Sequence, residues 1–153
     1  MLRVLCVLVA SLIAGSDLAA QQLPWKVGDK PPMLAGFRLA EDPDSARVRL
    51  GAGVQVDTMD LASETFGITH RGKGISLVVS RADGVAVIYA DRPEAGSLDS
   101  IRVGDESAAV LRRWGQPTTA EGETALWVVG EWVVVVTLNR ENRVARIGVG
   151  RKA

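Results

Sequence analysis

The chain has 153 residues, 18 basic and 18 acidic side chains, one histidine and one cysteine. Zero net charge argues against nucleic acid or an anionic membrane surface as the main partner. A single cysteine excludes an internal disulfide framework and a zinc site built on cysteine pairs.

Met1, Leu2 and Arg3 form a short positive start, followed by an apolar run over 4–15 and the small residues Ala19 and Ala20. Charge, apolar run and small residues in that order read as a secretory signal peptide over 1–20. The run is too short to cross a bilayer. Cleavage near Ala20 would place the chain in the periplasm or outside the cell. It would also remove Cys6, leaving neither a thiol nor an integral membrane segment.

Residues 21–40 carry Pro24, Pro31 and Pro32 and read as an extended N-terminal strap, with Trp25 tucked against the domain. Asp42 and Pro43 then open a helix over 43–50. Aspartate accepts bonds from first-turn amides, and proline is preset for the first helical position. Gly51 stops it. Residues 54–63 read as loop or a short strand. Residues 64–70 and 75–80 form a hairpin around the turn 71–74, and 85–90 is the next strand. The linker 92–97 separates a first unit (41–96) from a second (97–153).

The second unit opens with a clearer helix. Asp105 is its N-cap candidate, Arg112 and Arg113 lie in its last turn, and Gly115 and Pro117 end it. Ala108, Leu111 and Trp114 mark one face, with Val110 beside them. Strands follow at 124–129, 132–139 and 144–149, the first two joined by Gly130-Glu131.

Residues 80–88 and 139–147 align at an offset of 59. With a four-residue turn in each, one sheet face carries Phe66, Ile68, Leu77, Val79, Ala86 and Ile88. Its counterparts in the second unit are Trp127, Val134, Val136, Leu138, Ala145 and Ile147. This face is expected to lie under the helices. Val85 and Val144 fall on the other face, with Val78, Val87, Val128 and Val133. That second face is more apolar than solvent requires, and its Tyr89 and Arg146 are typical of protein-binding surfaces. The fold class expected is therefore α+β: two tandem helix-plus-antiparallel-meander repeats, helices packed on one face of the sheet.

Catalytic signals are sparse. After cleavage the chain has His70 but no cysteine, and no Gly-x-Ser-x-Gly elbow presents a serine. His70 falls near a strand end and reads as a packed or edge residue. Asp57 and Asp60 lack the ligand alternation of a calcium loop. Residues 71–74 are explained by a hairpin turn rather than a phosphate cradle. Trp114, Trp127 and Trp132 read as core.

Gly104-Asp105-Glu106-Ser107, the apolar helix, and Trp114-Gly115-Gln116-Pro117 resemble the signature of the SmpA/OmlA (BamE-like) family. The two-unit layout resembles the β-lactamase inhibitor protein fold. The resemblance implies a small exported protein without catalysis, whose free sheet face meets protein partners.

The expected function is that of a non-enzymatic protein-binding module in the bacterial envelope, either an assembly factor or an inhibitor of a secreted enzyme. The expected contacts are Thr69, Ser76, Tyr89, Leu126, Val135, Thr137 and Arg146, with no cofactor and no metal. An envelope or secreted protein is the expected partner, a homodimer the other occupant of the face. The alternative function is carriage of a small apolar ligand.

Overall fold

A computed structural model describes residues 31–152. The expected signal peptide over 1–20 and residues 21–30, including Trp25, lie outside the described residues.

The described part of the expected strap is a tight hairpin, β1 (Met33–Leu34) with β2 (Phe37–Arg38). Ala35 and Gly36 both take positive φ (55° and 81°), the conformation that a two-residue turn between twisted strands demands. The hairpin buries Leu34, Phe37 and Leu39. Helix α1 (Pro43–Leu50) follows the sequence signals closely. Asp42 accepts the Ser45 N–H at 2.9 Å, and Ala46 and Leu50 face inward. Lys73 donates from Nζ to the Leu50 carbonyl at 2.6 Å, satisfying one of the acceptors a helix end leaves open.

Four strands come next: β3 (Gln55–Asp60), β4 (Thr65–His70), β5 (Ile75–Ser80) and β6 (Gly84–Ala90). A single 3-10 turn at Pro93–Ala95 leads to a second small hairpin, β7 (Ser97–Leu98) with β8 (Ile101–Arg102). Helix α2 (Ser107–Trp114) precedes β9 (Thr119–Glu121), β10 (Thr124–Val129), β11 (Trp132–Leu138) and β12 (Val144–Arg151).

The expected fold class is corrected by the sheet. One antiparallel sheet of eight strands, ordered β3-β4-β5-β6-β12-β11-β10-β9, takes strands from both expected units. The described chain is mostly β, with two helices of eight residues each. The helices give the core only Ala46 and Leu50 on one side and Ser107, Val110 and Trp114 on the other. Strands and hairpins supply the rest, so this is not a pair of helix-covered α+β repeats. Eight residues make little more than two helical turns, too few to cover a sheet this wide.

The cap of α2 also differs from expectation. Asp105 accepts the Arg102 N–H at 2.8 Å, closing the preceding turn, and Glu106 holds the N-cap position without a side-chain bond. Ala108 is exposed, so the inward stripe is Ser107, Val110 and Trp114. Trp114 meets Trp127 edge-on, with ring centroids 5.4 Å apart. Their indole N–H groups are bonded to Asp99 and to the Gly115 carbonyl. Trp132 is only partly buried.

Neither turn has the four residues expected: three, 81–83, join β5 to β6, and five, 139–143, join β11 to β12, where the Asn139 N–H bonds the Arg143 carbonyl across a three-residue tip. Ser80 pairs with Gly84, and Leu138 with Val144. Each turn is followed by a register shift, which leaves Ala86 and Ala145 as the extra residues of two β-bulges. Val85 and Val144 are therefore core residues, each 1% exposed, while Ala86 and Ala145 are half-buried. This reverses the facing expected for Val85 and Val144 and takes Ala86 and Ala145 out of the fully buried core. The bulges have a structural use. Val85 bonds through its N–H to Glu41 O and through its carbonyl to Ala40 N–H, at 2.9 and 2.8 Å. Val144 does the same with Asp105 and Gly104, at 2.8 and 2.7 Å. In both places the bulged valine turns its peptide groups away from the sheet and ties down the segment that leads into a helix.

Candidate functional site

The opposite face of the sheet carries no helix and no hairpin among the described residues. Pairing register makes its geometry explicit. Gln55, Thr69, Ser76, Tyr89, Gly148, Val135, Leu126 and Thr119 form one unbroken row across all eight strands. Five of the seven expected contacts lie in that row. Thr137 and Arg146, directly paired with each other, begin the adjacent row with Thr124 and Glu121. On the other side runs Asp57, Gly67, Val78, Val87, Gly150, Val133 and Val128. All seven expected residues thus share one face.

Most of these side chains are half-buried, held by their neighbours in the sheet yet open on one side. The Arg146 guanidinium lies 4.5 Å from the centroid of the Tyr89 ring, a cation–π contact that fixes both groups. Thr69 donates to Ser76 across the strands at 3.2 Å. The face is thus an aliphatic belt with a rigid aromatic and cationic centre and hydroxyls along its flank.

Two residues essential to that shape escaped the sequence reading. Gly148 and Gly150 sit on the central strand β12 and point onto the open face. A Cβ on Gly148 would stand 2.6 Å from Tyr89 Cε1, so the tyrosine ring occupies the space glycine leaves. A Cβ on Gly150 would meet Val87 at 3.4 Å. Two glycines spaced i, i+2 within a strand share a face, and that spacing was the available signal.

The ionisable groups elsewhere have local duties. His70 ends β4 and accepts the Lys73 N–H at Nδ1, 3.1 Å away. Residues 71–74 are a hairpin turn closed by Gly74 N–H to His70 O. Asp60 is held below the usual carboxylate range by the Ser63 hydroxyl and the Ala62 N–H. Asp42 is lowered in the same way, chiefly by the Ser45 N–H. Asp99 raises the Arg113 guanidinium through a paired hydrogen bond at 2.7 Å. No group of three or more metal-ligating side chains is found among the described residues.

A small cleft opens between α2 and β9–β11, lined by Val110, Leu111, Pro117, Ala120, Trp127 and Val136. Its volume is about 30 Å³. A cavity that binds benzene is about 150 Å³. This cleft is too small for a ligand of even benzene's size.

No family model and no curated protein matches this chain. Among solved structures, a cysteine-rich secretory protein from Staphylococcus aureus aligns with a TM-score of 0.62 at 13% identity, over 83% of this chain and 49% of that one. At that identity the likeness is one of fold, and this chain spans about half the length of the staphylococcal protein. An extracellular protein containing a SCP domain from Bacillus anthracis aligns with a TM-score of 0.43 at 9% identity, over 90% and 48% of the two chains. A DUF4309 family protein from Bacillus subtilis aligns at 0.42 and 5%, over 67% and 66%. Neither of these two supports an argument.

The resemblance to SmpA/OmlA and to the β-lactamase inhibitor protein is therefore corrected: the neighbours found belong to neither. The residues behind it are helix punctuation. Gly115 at φ 73° and the following Pro117 stop α2, and any short helix ended this way shows the same pattern. Among the described residues no helix is long and apolar enough to cross a membrane.

Proposed function

We propose that this chain is an exported, non-enzymatic binding module of the bacterial envelope. In this reading it holds an envelope or secreted protein against the open face of its sheet. The observation that carries the proposal is the register: Thr69, Ser76, Tyr89, Val135 and Leu126 share one transverse row, with Arg146 and Thr137 beside it. Rigid aromatic and arginine groups amid short aliphatics are what concentrate binding energy at protein interfaces. Export is supported by the order of charge, apolar run and small residues in 1–20. The staphylococcal neighbour, described as a secretory protein, agrees with it. The reading assigns no catalytic role and no cofactor, in keeping with a sole histidine engaged in a turn.

The test is crosslinking in the producing cell followed by mass spectrometry, with Val135→Lys and Tyr89→Arg as paired controls. A discrete partner that disappears in both variants, while each stays folded, supports the reading. Crosslinks only between copies would assign the face to a homodimer. Crosslinks unchanged by both variants would remove the face from the interaction altogether.

A further inference from the structure

The sheet has two outer edges, and they are finished differently. At one end β9 has three residues. Just before it, the Thr118 hydroxyl accepts the Val128 N–H at 3.0 Å. At the other end β3 has six residues, all exposed, with neither proline nor lysine. Among the described residues nothing pairs with its outer side. Such an edge is a ready template for another strand.

Apolar exposure gathers there. The large hydrophobic side chains most exposed to solvent are Met33, Val48, Val56, Met59 and Leu61, and the last three lie on β3 or directly after it. Met59 is 60% and Leu61 78% exposed. A register shift between Thr58 and Asp60 brings Asp57 and Asp60 to the same face of the sheet. The Met59 sulfur lies on that face too, over Gly67, at 3.6 Å from where a Cβ would stand. Val56 and Thr58 face the other way. The strand thus offers two carboxylates and a thioether on one face and an aliphatic on the other.

We infer that β3 is a docking edge for an extended segment of another protein, one that alternates lysine or arginine with apolar residues. Added antiparallel or parallel to β3, such a segment becomes a ninth strand. Its basic side chains stand beside Asp57 and Asp60, their methylene stems over Met59. Its apolar side chains, pointing oppositely, pack beside Val56. Charge decides between this occupant and a second copy of the chain. Two β3 strands side by side would bring four aspartates to one seam with no cation between them. The same aspartates that repel a copy attract a basic strand. The open-face row begins on this strand at Gln55, but the docking groups are the outer backbone of β3 with Val56, Asp57, Met59 and Asp60, and the inference does not depend on the function proposed for that row.

The experiment uses the whole chain and a short synthetic peptide alternating valine and lysine, with a valine–glutamate twin. Binding is followed by fluorescence anisotropy, and amide hydrogen exchange reports where the peptide sits. The lysine peptide is expected to bind, to slow exchange in β3, and to ignore the glutamate twin's competition. Asp57→Lys, an exposed position whose side chain accepts from Gln55, should weaken it roughly tenfold, since a charge reversal turns a cross-strand attraction into a repulsion. Val135→Lys on the open face should leave it unchanged. Equal binding of both peptides, or of neither, overturns the inference. So does loss of binding in Val135→Lys, or self-association that protects β3 without any peptide.

Discussion

The two faces of one sheet are built from the same strands but by opposite rules. Val134, Val136, Ile147 and Val149 point inward and are at most 1% exposed. Val133 and Val135, their immediate neighbours in β11, point outward and are half-buried. Composition does not separate the two sets, since valine serves both. What separates them is what lies above: hairpins, helices and two tryptophans on one side, nothing among the described residues on the other. A face is core or surface by what the rest of the chain lays on it, not by its own hydrophobicity.

The sharpest way to break that comparison is to place one charge on either side of the same strand. Val136→Lys should leave no folded protein, because an unpaired buried ammonium costs on the order of a domain's whole stability of about 5–15 kcal/mol. Val135→Lys should fold with nearly the parent melting temperature. Circular dichroism melts of the pair decide it, and equal loss would mean that the open face is also core. Next in size, Trp114→Ala removes the largest buried side chain and its edge contact with Trp127. A loss of about 3–5 kcal/mol in urea titration is expected. If the loss is below about 1 kcal/mol, α2 is not seated as described.

On the open face, Gly148→Ala should cost about 1–3 kcal/mol by displacing the Tyr89 ring. In a Tyr89→Ala background the same change should cost little. A double-mutant cycle measures that coupling, and simple additivity would show that the ring does not rest on the glycine. Smallest is the acid response. Asp42 and Asp60 have lowered values in the folded state, so their contribution is present above the ordinary aspartate range and is lost as the pH falls through the folded values. The melting temperature should fall as the pH drops below about 5. Asp42→Ala should flatten that fall slightly, whereas an unchanged slope would locate the acid sensitivity elsewhere.

Much of this was legible because local signals were strong. Asp42, Pro43 and Gly51 bound α1, and Gly115 with Pro117 ends α2, since caps and stops act within a few residues. Strands β4, β5, β10 and β11 followed from their β-branched runs. The facing of the open row was right because alternation fixes it once the hairpins are placed. The facing of Val85 and Val144 was wrong, because a bulge shifts parity by one residue and its partners lie some forty residues away, in the peptide groups of Ala40 and Glu41 for Val85 and of Gly104 and Asp105 for Val144. Strand β3 stayed open between loop and strand for a related reason. An edge strand exposed on both faces has no core to pattern its residues. The fold class failed at longer range still, since nothing in the linker 92–97 announces that β6 will pair with β12.

That pairing sets the order in which the molecule assembles. Every other contact within the eight-stranded sheet joins strands next to each other in the chain, reached by turns of a few residues. The four pairs from Ile147↔Ala90 to Gly150↔Val87 bridge about sixty residues. Loop closure over that span carries the largest entropic penalty in the sheet, and rates fall as such separations grow. The two four-strand runs are therefore expected to form first and the central seam to close last, bringing Tyr89 onto Gly148. Until then β6 and β12 are both bare edges, and a nascent chain at high concentration has its own sibling as the nearest strand to take.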